Sequence, residues 1–299
     1  MTLQEALTIA TKAIGPHEAR LLLSHITGKS LSHIILNPNQ PLDIKTKGAF
    51  LAAIVRRKSN EPLQYILGQW EFMGLTIKTD NRALIPRPET ELLVEEALTY
   101  IRNLDRPAKV LDICTGSGCI AVAIAKLSGA TVTATDISPD ALSLAAENAA
   151  FHHLTDKIQF VQGDLLAGLA KSSFDIIISN PPYIPTQELT SLQPELSHEP
   201  KQALDGGPDG LDIYRRLIPQ TLDFIAPGGI LLLEIGPTEV EAIMLNTGYD
   251  IVRIIKDYAG LRRVLVGHKP WNDIEEDDPL PDEIVAFKAY HTSMEVNNV

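Results

Sequence analysis

From about residue 109 onward the chain repeats one pattern. A short run of aliphatic and β-branched residues is followed by a glycine or proline break, and then by a longer stretch with apolar residues at helical spacing. The runs 110–113, 131–136, 158–161, 174–179, 230–235, 249–255 and 263–266 predict seven strands. The central runs are nearly continuous in apolar character, as strands buried on both faces are, so an α/β fold with a mostly parallel sheet and right-handed crossovers is expected. Helices are predicted over 119–126, from the Ser138-Pro139 cap to about 150, and over 209–224, with 186–206 as an irregular lid.

Upstream the period changes. Residues 1–60 carry short helical patterns over 3–14, from Pro16 through Leu23, over 31–36 and over 44–58, which predict a small helical bundle. Aromatic and glycine punctuation at Tyr65, Gly68, Trp70, Phe72 and Gly74, followed by the alternation over 75–78, predicts a connecting hairpin. Pro88 then opens a helix reaching about Arg102, with Glu89 and Glu91 in its first turn. The expected organisation is a helical domain over 1–68, a hairpin linker over 69–86, an α/β domain over 87–270 and a loosely held acidic tail over 271–299.

Charge narrows the partners. The formal net charge of −12 is uneven: residues 1–68 carry eight basic and four acidic residues, whereas 271–299 carry one Lys against eight acids. An acidic body argues against direct nucleic-acid binding, which needs clustered Lys and Arg. The basic run Arg56-Arg57-Lys58 reads as a solvated helix end, with partner docking as the other reading. Two cysteines, Cys114 and Cys119, form neither a disulfide framework nor a metal pattern and are expected as buried thiols in a cytoplasmic protein. No apolar run reaches the length of a membrane span, and residues 1–15 lack the pattern of a signal peptide.

The chemistry is concentrated at strand ends. Asn180-Pro181-Pro182-Tyr183 follows the fourth predicted strand, at the sheet edge where open α/β folds bind ligands. Neither proline carries an N–H, so the turn is rich in carbonyl acceptors, Asn180 adds one more, and Tyr183 adds a flat face. That set suits a planar NH2 group on a carboxamide or an aminobase. After the first predicted strand comes the loop Cys114-Thr115-Gly116-Ser117-Gly118, with Asp136 twenty residues beyond Gly116. Glycine at 116 and 118 with Ala121 fits a dinucleotide fingerprint, so a dinucleotide-dependent oxidoreductase is one reading. Strand-end carboxylates favour S-adenosylmethionine: Asp112 suits the ammonium of its methionine moiety, Asp136 its ribose hydroxyls, and Asp164, followed by Leu165, its adenine amine. A pyrophosphate would need neutralising donors instead. A binding module without catalysis would leave the stiff acceptor turn unexplained.

With these residues laid out, the chain resembles the release-factor glutamine methyltransferases, the HemK/PrmC family, over about residues 1–268. The resemblance rests on residues 84–91 (Leu-Ile-Pro-Arg-Pro-Glu-Thr-Glu), on 112–121, on 180–185 and on Leu233-Glu234-Ile235-Gly236. The Asn-Pro-Pro-Tyr element is shared with adenine and guanine amine methylases, which keeps a nucleic-acid aminobase methyltransferase as the alternative. The resemblance implies a Rossmann-like methyltransferase sheet and a helical N-terminal domain that helps hold the protein substrate. It also implies methyl transfer from S-adenosylmethionine to the glutamine side-chain nitrogen in the Gly-Gly-Gln loop of class I peptide chain release factors. Carried over by position, Asn180 and the Pro181 carbonyl would hold the amide, with Pro182 beside them and Tyr183 stacked on it. Residues 114–118 with Asp112, Asp136, Asp164, Leu165 and Asn180 would hold the cofactor, and no metal is implied. Arg87 and Glu89 are expected to line the substrate pocket. Cys114 takes a loop position where such enzymes often carry glycine, which a side chain tolerates at negative φ.

Overall fold

The computed structural model describes residues 1–236, 239–249 and 251–270, so the acidic tail falls outside the described residues. Five helices come first: α1 (Leu3–Ile14), α2 (Pro16–Thr27), α3 (Leu31–Leu36), α4 (Ile44–Lys58) and α5 (Leu63–Leu67). Their boundaries follow from local chemistry. Thr2 and Glu5 form a reciprocal capping box on α1, Pro16 takes the first position of α2, Gly28 closes α2 at φ 64°, and Asp43 caps α4. The apolar faces meet in a core of Leu3, Leu22, Leu23, Ile34, Phe50 and Ile54. Arg57 is not the solvated terminus expected. Its guanidinium bridges Glu18 at 2.7 Å and Glu195 at 2.9 Å, whereas Arg56, paired with Glu61, and Lys58 stay exposed to solvent.

The hairpin of β1 (Gln69–Phe72) and β2 (Leu75–Lys78) pairs antiparallel and leads into α6 (Pro88–Ile101). Phe72 and Ile77 are buried in the same cluster as the sheet that follows, and Glu91 accepts the Met73 N–H at 2.8 Å. Next come β3 (Lys109–Ile113), α7 (Cys119–Ser128), β4 (Thr131–Asp136), α8 (Pro139–Phe151), β5 (Ile158–Gln162) and β6 (Phe174–Ser179). After an excursion the chain adds α9 (Asp212–Thr221), β7 (Ile225–Glu234), α10 (Val240–Leu245), β8 (Ile251–Lys256) and β9 (Arg262–His268).

Seven strands form one sheet in the order β5-β4-β3-β6-β7-β9-β8, parallel except that β9 runs antiparallel to both neighbours. Side chains alternate across it with period two. Val110, Ile176, Ile178 and Leu232 pack towards α6 and α7, while Leu111, Ile113, Ile177 and Leu233 pack towards α9 and α10. Every residue of β6 is buried: the apolar run Ile176-Ile177-Ile178 by its character, Asp175 through its pairing with Arg106, and Ser179 through its hydroxyl, which donates to Ile113 O at 2.6 Å.

Three boundaries depart from expectation. Helix α9 starts at Asp212 rather than 209 because Gly207 and Gly210 hold left-handed φ of 91° and 78°, and it ends at Thr221 rather than 224. Strand β7 starts before Pro227-Gly228-Gly229, which the strand absorbs as a register shift against β6 instead of a turn. Helix α10 was not anticipated, since residues 240–245 are too short for a periodic signal.

The lid is built from three 3-10 turns, Thr186–Ser191, Pro194–His198 and Lys201–Ala203. Its two ends are fastened together: Ile184 N–H donates to Leu204 O at 3.0 Å, Gly206 N–H to Ile184 O at 2.9 Å, and Thr186 N–H to Gly207 O at 2.8 Å. Among the described residues no helix is long and apolar enough to cross a membrane.

Candidate active site

Strand β3 is where the sheet order reverses, with β4 on one side and β6 on the other, so a crevice opens beyond the carboxyl ends of these strands. A cavity of about 790 Å³ occupies it. The loop after β3 forms one wall through Cys114, Thr115, Gly116 and Ser117. Cys114 adopts φ 60°, so the negative φ at which a side chain is easily tolerated is not what it has: a side chain here accepts the left-handed strain that glycine would avoid. Burial raises the pKa of its thiol, and pushes that of Cys119 up to about 12, which favours the protonated form of both. Gly116, at φ 55°, lines the cavity with only the Ala83 Cβ in reach of an added side chain. Gly118 does not line it. A Cβ there would stand 2.8 Å from the Ala145 Cβ of α8, so this glycine serves helix packing.

The three aspartates fare differently. Asp136 lines the cavity and is fixed by backbone donors, Gly116 N–H on Oδ2 and Ser138 N–H on Oδ1, both at 2.9 Å. One lone pair on each oxygen is left to accept from a ligand. Burial raises its pKa. Asp164 also lines the cavity, but its Oδ2 accepts from Arg216 at 2.6 Å, a pairing across 52 residues that the sequence did not suggest. Asp112 lies beneath the loop rather than in the cavity wall. Its Oδ2 accepts from Thr115 Oγ1 at 2.6 Å, its Oδ1 has no partner, and burial pushes its pKa up to about 7. Leu165, at φ 58°, lines the cavity and its carbonyl accepts from Thr135 at 3.1 Å.

The cavity fits a cationic ligand carrying N–H and O–H donors. Ser117 Oγ in its wall and Asp112 Oδ1 behind it are buried without partners. Four arginines also line it, and each is already neutralised: Arg82 by Asp80 and Glu147, Arg87 by Glu199, Arg215 by Asp209, and Arg216 by Asp164. No positive charge among them is spare for a pyrophosphate, so the donor set favours S-adenosylmethionine over a dinucleotide. Among the described residues no cluster of His, Cys, Asp or Glu is placed to hold a metal ion.

The acceptor turn forms the facing wall. Asn180 and Pro182 line the cavity, while Pro181 is buried between them. Tyr183 departs from the expected stacking. Its ring does not line the cavity but packs on Gly236, where an added Cβ would come within 2.6 Å of Cδ2. Gly206 and Gly210 admit its backbone in the same way, with an added Cβ at 2.7 Å from its Cα and 2.4 Å from its carbonyl oxygen. The Tyr183 hydroxyl reaches Glu234 Oε1 at 3.4 Å.

Thr90 completes this wall with the buried Glu234 behind it, and sequence reasoning assigned neither a role in the chemistry. Asn180 Nδ2 donates to Thr90 Oγ1 at 3.1 Å, and Thr90 Oγ1 donates to Glu234 Oε2 at 2.5 Å. Glu234 is buried, which pushes its carboxyl up to about 6. The available signal was a single carboxylate closing the apolar run of β7, since a buried charge requires partners. Arg87 lines the cavity, paired with the buried Glu199 of the lid, which also accepts the Ile85 N–H at 3.0 Å. Glu89 does not line it and stays in the first turn of α6, where it favours the helix dipole.

Known proteins agree with this architecture. Residues 3–68 match the PrmC N-terminal domain family, and residues 89–210 the Methyltransferase small domain family. Among solved structures, the hMettl16 catalytic domain in complex with MAT2A 3′UTR hairpin 6 superposes with a TM-score of 0.54, covering 80% of this chain and 85% of that one. At 17% identity this likeness speaks to the fold alone. Curated relatives named release factor glutamine methyltransferase include one from Geobacter sulfurreducens, 42% identical over 84% of this chain and 88% of its own length. Another, from Moorella thermoacetica, is 38% identical over 90% of this chain and 99% of its own. With identity of this order sustained across both the helical bundle and the sheet, the chain belongs to the release factor glutamine methyltransferase family.

Proposed function

We propose that this chain transfers a methyl group from S-adenosylmethionine to the side-chain amide nitrogen of the glutamine in the Gly-Gly-Gln loop of class I peptide chain release factors, in the cytoplasm where those factors act. One observation carries the reading. Asn180 gives its NH2 to Thr90, which turns its Oδ1 away as an acceptor at the edge of an acceptor-lined cavity.

Bound S-adenosylmethionine supplies an electrophilic methyl group on a sulfonium. Asp136 would receive its ribose hydroxyls, and the loop from Cys114 to Ser117 with Asp164 and Leu165 would hold the rest of it; all of these residues line the cavity. An amide nitrogen is a poor nucleophile because its lone pair is delocalised. Asn180 Oδ1 accepts one of its hydrogens and the Pro181 carbonyl the other, which orients the nitrogen and raises its electron density. These bonds strengthen as positive charge develops on the nitrogen. The nitrogen would gain the methyl carbon as the bond from that carbon to sulfur breaks, the electron pair staying on sulfur as a neutral thioether leaving group, and would then lose one proton to solvent. The bundle over 1–68, which exposes Ile35, Leu36, Ile44 and Val55, is assigned to docking the protein substrate. The net charge of −12, with every cavity-lining arginine paired, supports a protein rather than a nucleic-acid substrate.

The test is incubation with labelled S-adenosylmethionine and, separately, release factor, tRNA, rRNA and DNA, followed by mass mapping. Label on the glutamine of the release factor is expected. Label confined to a nucleic acid would overturn the reading.

A further inference from the structure

We propose that Thr90 and Glu234 are positioning residues that fix which way round the Asn180 amide stands, so that the cavity is offered a carbonyl and never an NH2. The inference deepens the proposed function and rests on it for its kinetic consequence, though not for its geometry.

A threonine hydroxyl has one hydrogen to give. Thr90 Oγ1 stands 2.5 Å from Glu234 Oε2, and a carboxylate only accepts, so that hydrogen lies between them. Towards Asn180 the hydroxyl therefore presents lone pairs alone. The Asn180 group at 3.1 Å from it must be the NH2, and Oδ1 is forced to the opposite side. An asparagine without this partner could stand either way. The reversed rotamer would set NH2 against the NH2 of a glutamine, donor facing donor, and would withdraw the acceptor that the nitrogen needs.

Glu234 is itself held in place. The Tyr183 hydroxyl approaches its Oε1 at 3.4 Å, and Tyr214 OH donates to its backbone carbonyl at 2.7 Å. One buried carboxylate thus gathers Thr90, the aromatic residue of the acceptor turn, and through Thr90 the asparagine of the same turn. The Thr90 side chain has no capping duty that would explain it otherwise. Its backbone N–H donates to Arg87 O at 3.1 Å, and no side chain caps the amino end of α6.

Purified Thr90→Val, Thr90→Ser, Asn180→Ala and Thr90→Val/Asn180→Ala proteins would be compared with the parent on release factor, with S-adenosylmethionine affinity measured by calorimetry. Thr90→Val should lower kcat about 10- to 100-fold, the range for one lost hydrogen bond in a buried charged network, with KM and cofactor affinity unchanged. Thr90→Ser, which keeps the hydroxyl, should restore kcat. In the Asn180→Ala background Thr90→Val should cost nothing further, because the group it orients is gone. Parental kcat in Thr90→Val, an equal loss in Ser and Val, or losses that multiply in the double variant would each overturn the proposal. If Thr90→Val does not fold, Thr90→Ala removes the same hydroxyl without a second methyl and is held to the same outcomes. NMR of the Asn180 side-chain amide gives a reading without substrate: its hydrogens should exchange slowly in the parent and in Thr90→Ser, and fast in Thr90→Val. A parent that methylates no release factor would sink the substrate reading, and the exchange rates would still decide the positioning.

Discussion

Asp112 should work against the stability of the fold, and replacing it with asparagine should reveal by how much. It sits fully buried at the fourth position of β3, with Oδ1 unpartnered and its pKa pushed from an ordinary 3.8 up to about 7. Burial is the main cause, and the nearby Asp136 adds to it. Because the folded pKa lies above the unfolded one, the folded state holds this proton more tightly. Its contribution to stability is complete below the unfolded pKa and is lost as pH rises through about 7. The whole displacement corresponds to about 4 kcal/mol, of which about 2–3 kcal/mol is lost between about pH 5 and pH 7. In Asp112→Asn the carbonyl can keep the Thr115 bond, while the amide NH2 replaces the orphan oxygen at a cost of about 1–3 kcal/mol. Urea unfolding at about pH 8 should therefore show the variant more stable by about 1–3 kcal/mol, with the advantage gone by about pH 5. Saturating S-adenosylmethionine should reverse the order, since a cationic ligand favours the ionised parent. A variant no more stable than the parent at the higher pH would show that Asp112 is already ionised and satisfied, and the cost assigned to it would be refuted.

Asn180→Ala should lower single-turnover methylation of release factor about 10²- to 10³-fold with little change in cofactor affinity, the scale for losing one preorganised partner; a parental rate would reduce the turn to scaffolding. Asp136→Ala removes a carboxylate that also pins Gly116 and Ser138, and calorimetry should find S-adenosylmethionine binding weaker by about 1.5–3 kcal/mol, against no change if Asp136 only braces the loop. Gly236→Ala would drive a methyl to 2.6 Å from the Tyr183 ring and should lower the unfolding free energy by about 1–3 kcal/mol, whereas unchanged thermal melting would mean that the ring is free to move aside.

The sheet was legible because its strands are short, apolar and closed by glycine or proline, and because parallel strands buried on both faces show little polar interruption. Asn180 and Asp136 could be placed at the binding edge for the same reason, since both directly follow or end such runs. What escaped was whatever depends on a partner far along the chain. Nothing near Asp164 announces Arg216, and nothing near Arg57 announces Glu195, 138 residues away. Thr90 lay inside a segment singled out for its resemblance, yet beside two glutamates at a helix start a threonine reads as capping chemistry. Only the fold shows that it faces inward to Glu234. Cys114 is a different case. A left-handed backbone carried by a non-glycine residue leaves no mark in composition, because the Thr115 N–H bond to Thr135 O and the strand beneath hold it from outside.

The lid begins and ends at one place, the joint made by Ile184, Thr186, Leu204 and Gly206. Its contour length is therefore decoupled from the geometry of the sheet. Residues added near its exposed turns at 190–194 would lengthen the excursion without moving either end, and doubling such a loop costs only about 0.6 kcal/mol. Glu199, tied to Ile85 and Arg87, would stay where it is. The reach of this loop over an incoming protein can thus drift in evolution, or be altered by an engineer, while the reaction chemistry stays fixed.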